Sequence, residues 1–164
     1  MAYTDFNLKK VIQTFSLSTE EETNLFPQVE KVRISDFLTT LLEETVPLAK
    51  LIQTEKARSE LIIAPILIEL RRTIKKRISL FSGSRFDVDK EKGLEGTCDF
   101  LISLSKEQAY IDTPVIAIVE AKKDGIDHRV LGQCSSELVA AQIFNQNEGK
   151  EIFPIYGIVT TGTV

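Results

Sequence analysis

The run Val115-Ile116-Ala117-Ile118-Val119, set between Pro114 and Glu120, restricts this chain more than any other segment. It reads as a short apolar strand that belongs inside a sheet. Two charged residues, Glu120 and Lys122, stand where the apolar run stops. Strand side chains alternate faces, so residues two apart point the same way, roughly 6–7 Å apart along the strand. A carboxylate and an ammonium therefore emerge side by side at the end of a buried element. A second carboxylate on a neighbouring strand would turn this pair into a metal site with a built-in cation. Asp99, in Gly96-Thr97-Cys98-Asp99-Phe100-Leu101-Ile102, is the candidate.

The bulk numbers bound the answer without deciding it. At 164 residues, with 43% hydrophobic and 27% charged content, the chain suits one globular domain with a full core. No stretch approaches the roughly 18 uncharged apolar residues of a membrane span. The start, Met1-Ala2-Tyr3-Thr4-Asp5-Phe6, lacks a basic leader followed by an apolar core. Cys98 and Cys134 have neither metal-ligand nor disulfide-framework spacing, so reduced thiols in a cytoplasmic protein are expected. A net charge of −4 argues against a generally basic nucleic-acid coat but leaves room for a local basic surface.

Along the chain, Leu8 to Phe15 reads as helix, and Ser18-Thr19-Glu20-Glu21-Glu22 resembles a helix start. Ser35-Asp36 precedes an apolar stripe of Phe37, Leu38, Leu41 and Leu42, with Pro47 expected to break or restart that helix. A stronger helix follows from Ser59, with Pro65 inside it and hence a kink or a late start. The period then changes. Ile78–Phe86, Thr97–Ser105 and Pro114–Ala121 read as three strands, and their short connections predict an antiparallel meander. A helix over about Asp127–Asn145 and a last strand over Phe153–Thr160 complete the pattern, the crossover laying that strand parallel to an earlier one. The expectation is an α/β fold: residues 59–164 form a core of helix, three strands, helix, strand, and residues 1–58 form a helical extension. The end, Gly162-Thr163-Val164, reads as a truncated or short C-terminus.

Chemistry concentrates on Asp99 and Glu120. A buried lone carboxylate costs several kcal/mol unless it is paired or binds a cation. Two converging carboxylates with backbone carbonyls and water suit Mg²⁺ or Mn²⁺. Lys122 would then orient or help deprotonate a water, or offset charge developing on a phosphorane-like transition state. On spacing alone, a strand-end salt bridge explains Glu120 and Lys122 equally well. Glu60 lies on the helix expected to pack on these strands, and a helix-dipole role accounts for it too. Gln133 and Glu137, four apart, share a helix face that looks either toward the site or toward solvent.

The order Glu60, Asp99, Glu120-Ala121-Lys122, Gln133 resembles the PD-(D/E)xK nuclease superfamily, whose restriction endonuclease-like core is helix, three-stranded meander, helix, strand. The resemblance covers about Ser59 to Thr160, and Ile118-Val119-Glu120-Ala121-Lys122 is its most specific block. It implies that Asp99 and Glu120 are metal ligands, Lys122 the catalytic lysine and Glu60 the acid of the first core helix. Gln133 resembles the glutamine of the recombination-type exonuclease branch, whose motif has a tyrosine where this chain has Glu137. Cys98 replaces the usual proline. In composition the chain is similar to small restriction-endonuclease-like proteins of cyanobacteria, which implies a bacterial origin.

The most basic segment, Arg71-Arg72-Thr73-Ile74-Lys75-Lys76-Arg77, offers Arg72, Lys75 and Lys76 as phosphate contacts, unless it is a solvated helix end. Lys123 and Arg129 lie in a second basic group with Lys122 and His128. No zinc motif, recognition helix or stacking platform is legible, and Ser82-Gly83-Ser84 reads as a tight turn rather than a phosphate loop, an expectation set against the strand reading of Ile78–Phe86. The expected activity is Mg²⁺-dependent phosphodiester hydrolysis of nucleic acid, DNA in the first instance. The alternative is a catalytically silent binding or assembly module, with a homodimer through the N-terminal helices as a further expectation.

Overall fold

A computed structural model describes residues 1–163; Val164, the last residue of the C-terminal segment noted above, lies outside the described residues. Its organising element is a four-stranded sheet in the order β1 (Ser79–Arg85), β2 (Thr97–Ser103), β3 (Val115–Ala121) and β4 (Tyr156–Thr160). The first three strands form an antiparallel meander, with Phe81 opposite Leu101 and Leu101 opposite Ile118. A 20-residue helix, α5 (His128–Asn147), then carries the chain across so that β4 runs parallel to β3. The sheet is mixed and flanked by helices, as the change of period predicts.

Alternation along the strands sorts the core into two layers. Phe81, Leu101, Val115 and Ile118 pack beneath α5 against Val139, Ala140 and Ala141. Phe100, Ile102, Ala117 and Val119 face the other way, toward Ile63 and Leu67. Those two residues belong to a helical run of α3 (Glu55–Arg58), a π-helical turn (Ser59–Ile63) and α4 (Ala64–Thr73). The widened turn has a cause in Pro65, which has no N–H to return to the preceding turn. Here the Ala64 amide instead reaches the Ser59 carbonyl, and the proline begins a new α-helix.

Two expectations for the N-terminal part are corrected. Residues 16–35 form neither helix nor strand, so no helix starts at Ser18. Glu20, Glu21 and Glu22 repel one another there with no apolar stripe behind them to bury. The helix α2 (Asp36–Ile52), capped by Ser35, runs straight through Pro47. Pro47 removes one internal hydrogen bond, but Leu38 and Ala49 are buried on either side of it, and that anchoring holds the helix together.

The first residues are built into the α5 layer. Tyr3 is buried, donates its hydroxyl to Phe86 O at 2.6 Å and donates its amide to Glu95 O at 3.1 Å. The helix α1 (Leu8–Phe15) crosses α5 at Gly132. A Cβ at Gly132 would fall 2.2 Å from the Asn7 carbonyl carbon, so glycine is what permits the approach.

Candidate functional site

The register that sets Phe100 opposite Val119 places Asp99 opposite Glu120 one step further on. Both side chains belong to the α5 side of the sheet, the side of Leu101 and Ile118. Asp99 and Glu120 are tied reciprocally. The Ala121 amide donates to Asp99 Oδ2 at 2.8 Å, and the Asp99 amide makes a long bond, 3.4 Å, to Glu120 Oε1. Lys122 Nζ donates to Glu120 Oε2 at 3.1 Å. Gln133, one turn into α5, donates its Nε2 to the same oxygen at 2.8 Å and to Glu137 Oε1 at 3.2 Å.

Glu120 and Glu137 are both fully buried. Burial is the main reason that Glu120 titrates above the ordinary carboxylate range; the charge of Asp99 adds to it, while Glu137 and Lys122 oppose it by hydrogen bonding. Glu137 is pushed up to about 10, by burial first and by the Glu120 charge second. Its Oε2 is buried with no hydrogen-bond partner. A proton on Glu137 resolves both facts, because a carboxylic acid donates to Glu120 where a second carboxylate repels it. Lys122 is drawn the other way. Burial works against its charge, but Glu120 and Glu55 outweigh burial and raise it, so it stands as an ammonium. Its side chain is 16% exposed, which makes the Lys122 side of the cluster the one that meets solvent.

Four of the five predicted site residues, Asp99, Glu120, Lys122 and Gln133, come together. Glu60 stays outside, largely exposed and paired with Lys56 at 3.6 Å. The acid that reaches Lys122 from this helical run is Glu55, at 3.7 Å. Glu55 has a sequence signal, since Thr54 caps α3 just before it, but an acid at a helix start ordinarily serves the helix dipole. Glu137 was legible as a partner of Gln133 by spacing; its burial was not.

The expected phosphate contacts divide. Arg72 is committed to the fold, donating to Ser35 Oγ at 2.7 Å and pairing with Glu69. Lys75 and Lys76 are exposed in a left-handed turn that closes α4. Lys123 pairs loosely with Asp124 at 3.9 Å, and Arg129 is exposed near the start of α5. Cys98 and Cys134 are free, buried thiols. Among the described residues, no helix is long and apolar enough to cross a membrane. Comparison with family models, curated proteins and solved structures finds no match to this chain.

The donor set can be tested against a metal. Among the described residues, no three acids, histidines or cysteines are placed to form a metal cage. That excludes an all-protein site of the kind Zn²⁺ takes. Mg²⁺ asks for less: one or two carboxylates, with water and substrate phosphate completing the shell. Asp99 and Glu120, hard oxygen donors facing each other across adjacent strands, fit that smaller requirement.

Proposed function

We propose that this chain is a PD-(D/E)xK-type nuclease with a restriction endonuclease-like core, which hydrolyses phosphodiester bonds in nucleic acid, DNA in the first instance. The observation that carries the reading is the bonded trio of Asp99, Glu120 and Lys122 at one end of the sheet. A lysine held at 3.1 Å from a wholly buried glutamate, with a second carboxylate opposite, has no need in the fold that an apolar trio would not serve better.

Asp99 and Glu120 are the residues that would hold Mg²⁺ or Mn²⁺, which supplies Lewis-acid polarisation of the phosphate when bound. Lys122, protonated, offers its ammonium to charge developing on the phosphate oxygens, and orients the attacking water rather than deprotonating it. Gln133 holds the Glu120 carboxylate in one orientation, and Glu137 backs both from the interior. Lys123 is a phosphate contact at the rim, with Lys75 and Lys76 further off. A second copy is proposed against the exposed Phe37, Leu48 and Leu51 of α2.

Nicking of supercoiled plasmid in Mn²⁺ tests the activity. Wild type should cleave, while Lys122→Met and Asp99→Asn should fall by on the order of 10²–10³-fold, and the exposed Lys50→Gln should match wild type. No cleavage of DNA or RNA, with no Mn²⁺ binding by calorimetry, favours the silent binding module; the full engagement of the Glu120 oxygens in hydrogen bonds is what keeps that second reading in play.

A further inference from the structure

A cavity of about 670 Å³ lies where α1 meets the start of α5. Its lining joins Leu8 and Ile12 of α1 with Lys9, Gln13, His128 and Arg129. Lys9 and Arg129 come from positions 120 residues apart in the chain, and neither they nor His128 forms an ion pair among the described residues. The nearby Asp127 caps the helix, its Oδ1 accepting the Arg129 and Val130 amides at 2.8 and 3.0 Å, while its charge also acts on Arg129 and His128. The helix's first amides are thus closed to a ligand, and any anion must be met by the side chains.

The helix α5 links the groove to the cluster. Arg129 stands four residues before Gln133, and Gln133 four before Glu137, so the three lie along one side of α5, each about one turn from the next. A polyanion leaving Lys122 would therefore meet Arg129, then His128 and Lys9. The floor is apolar, Leu8 and Ile12, which suits the face of an unpaired base.

We propose that this groove binds single-stranded nucleic acid, its phosphates on Lys9 and Arg129 and its bases over Leu8 and Ile12. The inference rests on the nuclease reading for the identity of the polymer, and gives α1, which lies outside the nuclease-like core, a role in holding substrate.

The test separates the two ideas by measuring binding without cleavage. Fluorescein-labelled single-stranded DNA is titrated in EDTA with wild type, Lys122→Met, the double variant Lys9→Gln/Arg129→Gln, and the charge-matched control Lys31→Gln/Lys50→Gln. Thermal unfolding verifies that all four are folded. The groove double should lose at least about tenfold in affinity, and its log–log salt slope should shrink by about 1.4, roughly 0.7 for each phosphate contact removed. The control double should stay close to wild type. Equal loss in both doubles, or none in the groove double, overturns the groove. Tight binding of polyglutamate with the same dependence on Lys9 and Arg129 overturns the nucleic-acid assignment in favour of an acidic protein. Groove-dependent DNA binding in a chain that never cleaves supports the groove and removes the nuclease alone.

Discussion

At the start of β3, the Asn145 side chain accepts the Val115 amide at 2.8 Å and donates to the Val115 carbonyl at 2.7 Å. Nearby, the buried Ser103 hydroxyl donates to Asp112 O. At the other end of the same strand, Glu120 meets Glu137 with Asp99 beside them, and one oxygen of Glu137 has no donor. Both ends bury polar side chains. At the first, the neutral Asn145 and Ser103 side chains find partners and the helix is pinned to the sheet, while the buried Ser79 hydroxyl opposite Ser103 has none. At the second, three acids crowd one lysine and one glutamine, and Glu137 is held protonated far above the ordinary carboxylate range. The first end buries neutral groups, whereas the second gathers ionisable ones whose titration is shifted, and shifted ionisable groups cluster at functional sites.

The comparison is most severely broken at Asn145. Asn145→Leu strands two buried backbone groups at Val115, each with a desolvation penalty of about 1–3 kcal/mol. Urea denaturation should show a loss of about 2–5 kcal/mol, and a loss under about 1 kcal/mol would mean that water or a backbone shift replaces the side chain.

Lys122→Met comes next. It leaves Glu120 buried without its cation, and since Glu120 can still take a proton, the expected loss near neutral pH is about 1–3 kcal/mol. The loss should shrink in acid, where the orphaned carboxylate is neutral. A variant as stable as wild type at every pH would show that Lys122 contributes nothing to holding Glu120.

Glu137→Gln should do the opposite. A buried acid whose folded-state pKa is raised to about 10 binds more protons folded than unfolded. It therefore takes stability away as pH rises from its ordinary value near 4.5 toward 10, by at most about 1.4 kcal/mol per pH unit. Glu120 titrates with the same sign. Glu137→Gln removes the larger part of that slope, so the variant should gain on wild type by about 1–2 kcal/mol between pH 6 and pH 8, read as the difference in unfolding free energy. Parallel pH profiles would show that Glu137 is not the group that holds the proton.

These two ends were not equally legible in the chain. Glu120, Lys122 and Asp99 announce themselves because charge next to a continuous apolar strand has few places to go. The meander and the parallel crossover follow from the same periodicity and from the length of α5. Asn145 gives no such sign, since an asparagine near the end of a helix ordinarily faces water or a cap, and the turn that aims it at Val115 is a matter of tertiary packing. Pro47 misleads because propensity is a local cost that two buried anchors override. The N-terminal residues resist separation from the core because the docking of α1 depends on the absence of one side chain at Gly132, far along the sequence.

Glu55 and Glu60 give the smallest expected effect and the finest resolution. Five positions on an ideal α-helix turn by about 140° beyond a full circle, so the two acids cannot face one site; the π-helical turn at Ser59–Ile63 shifts later residues again. Glu55 reaches Lys122 at 3.7 Å but is half exposed, the setting in which an ion pair contributes about 0.2–1 kcal/mol. Glu55→Gln should therefore lower stability by no more than about 1 kcal/mol and slow Mn²⁺-dependent nicking by a few-fold at most. Glu60→Gln should leave both alone. If instead Glu60→Gln is the damaging substitution, the helical run must turn in the substrate complex to bring the second acid to Lys122, and the end of the sheet read here as a strained but fixed cluster becomes one that rearranges on binding.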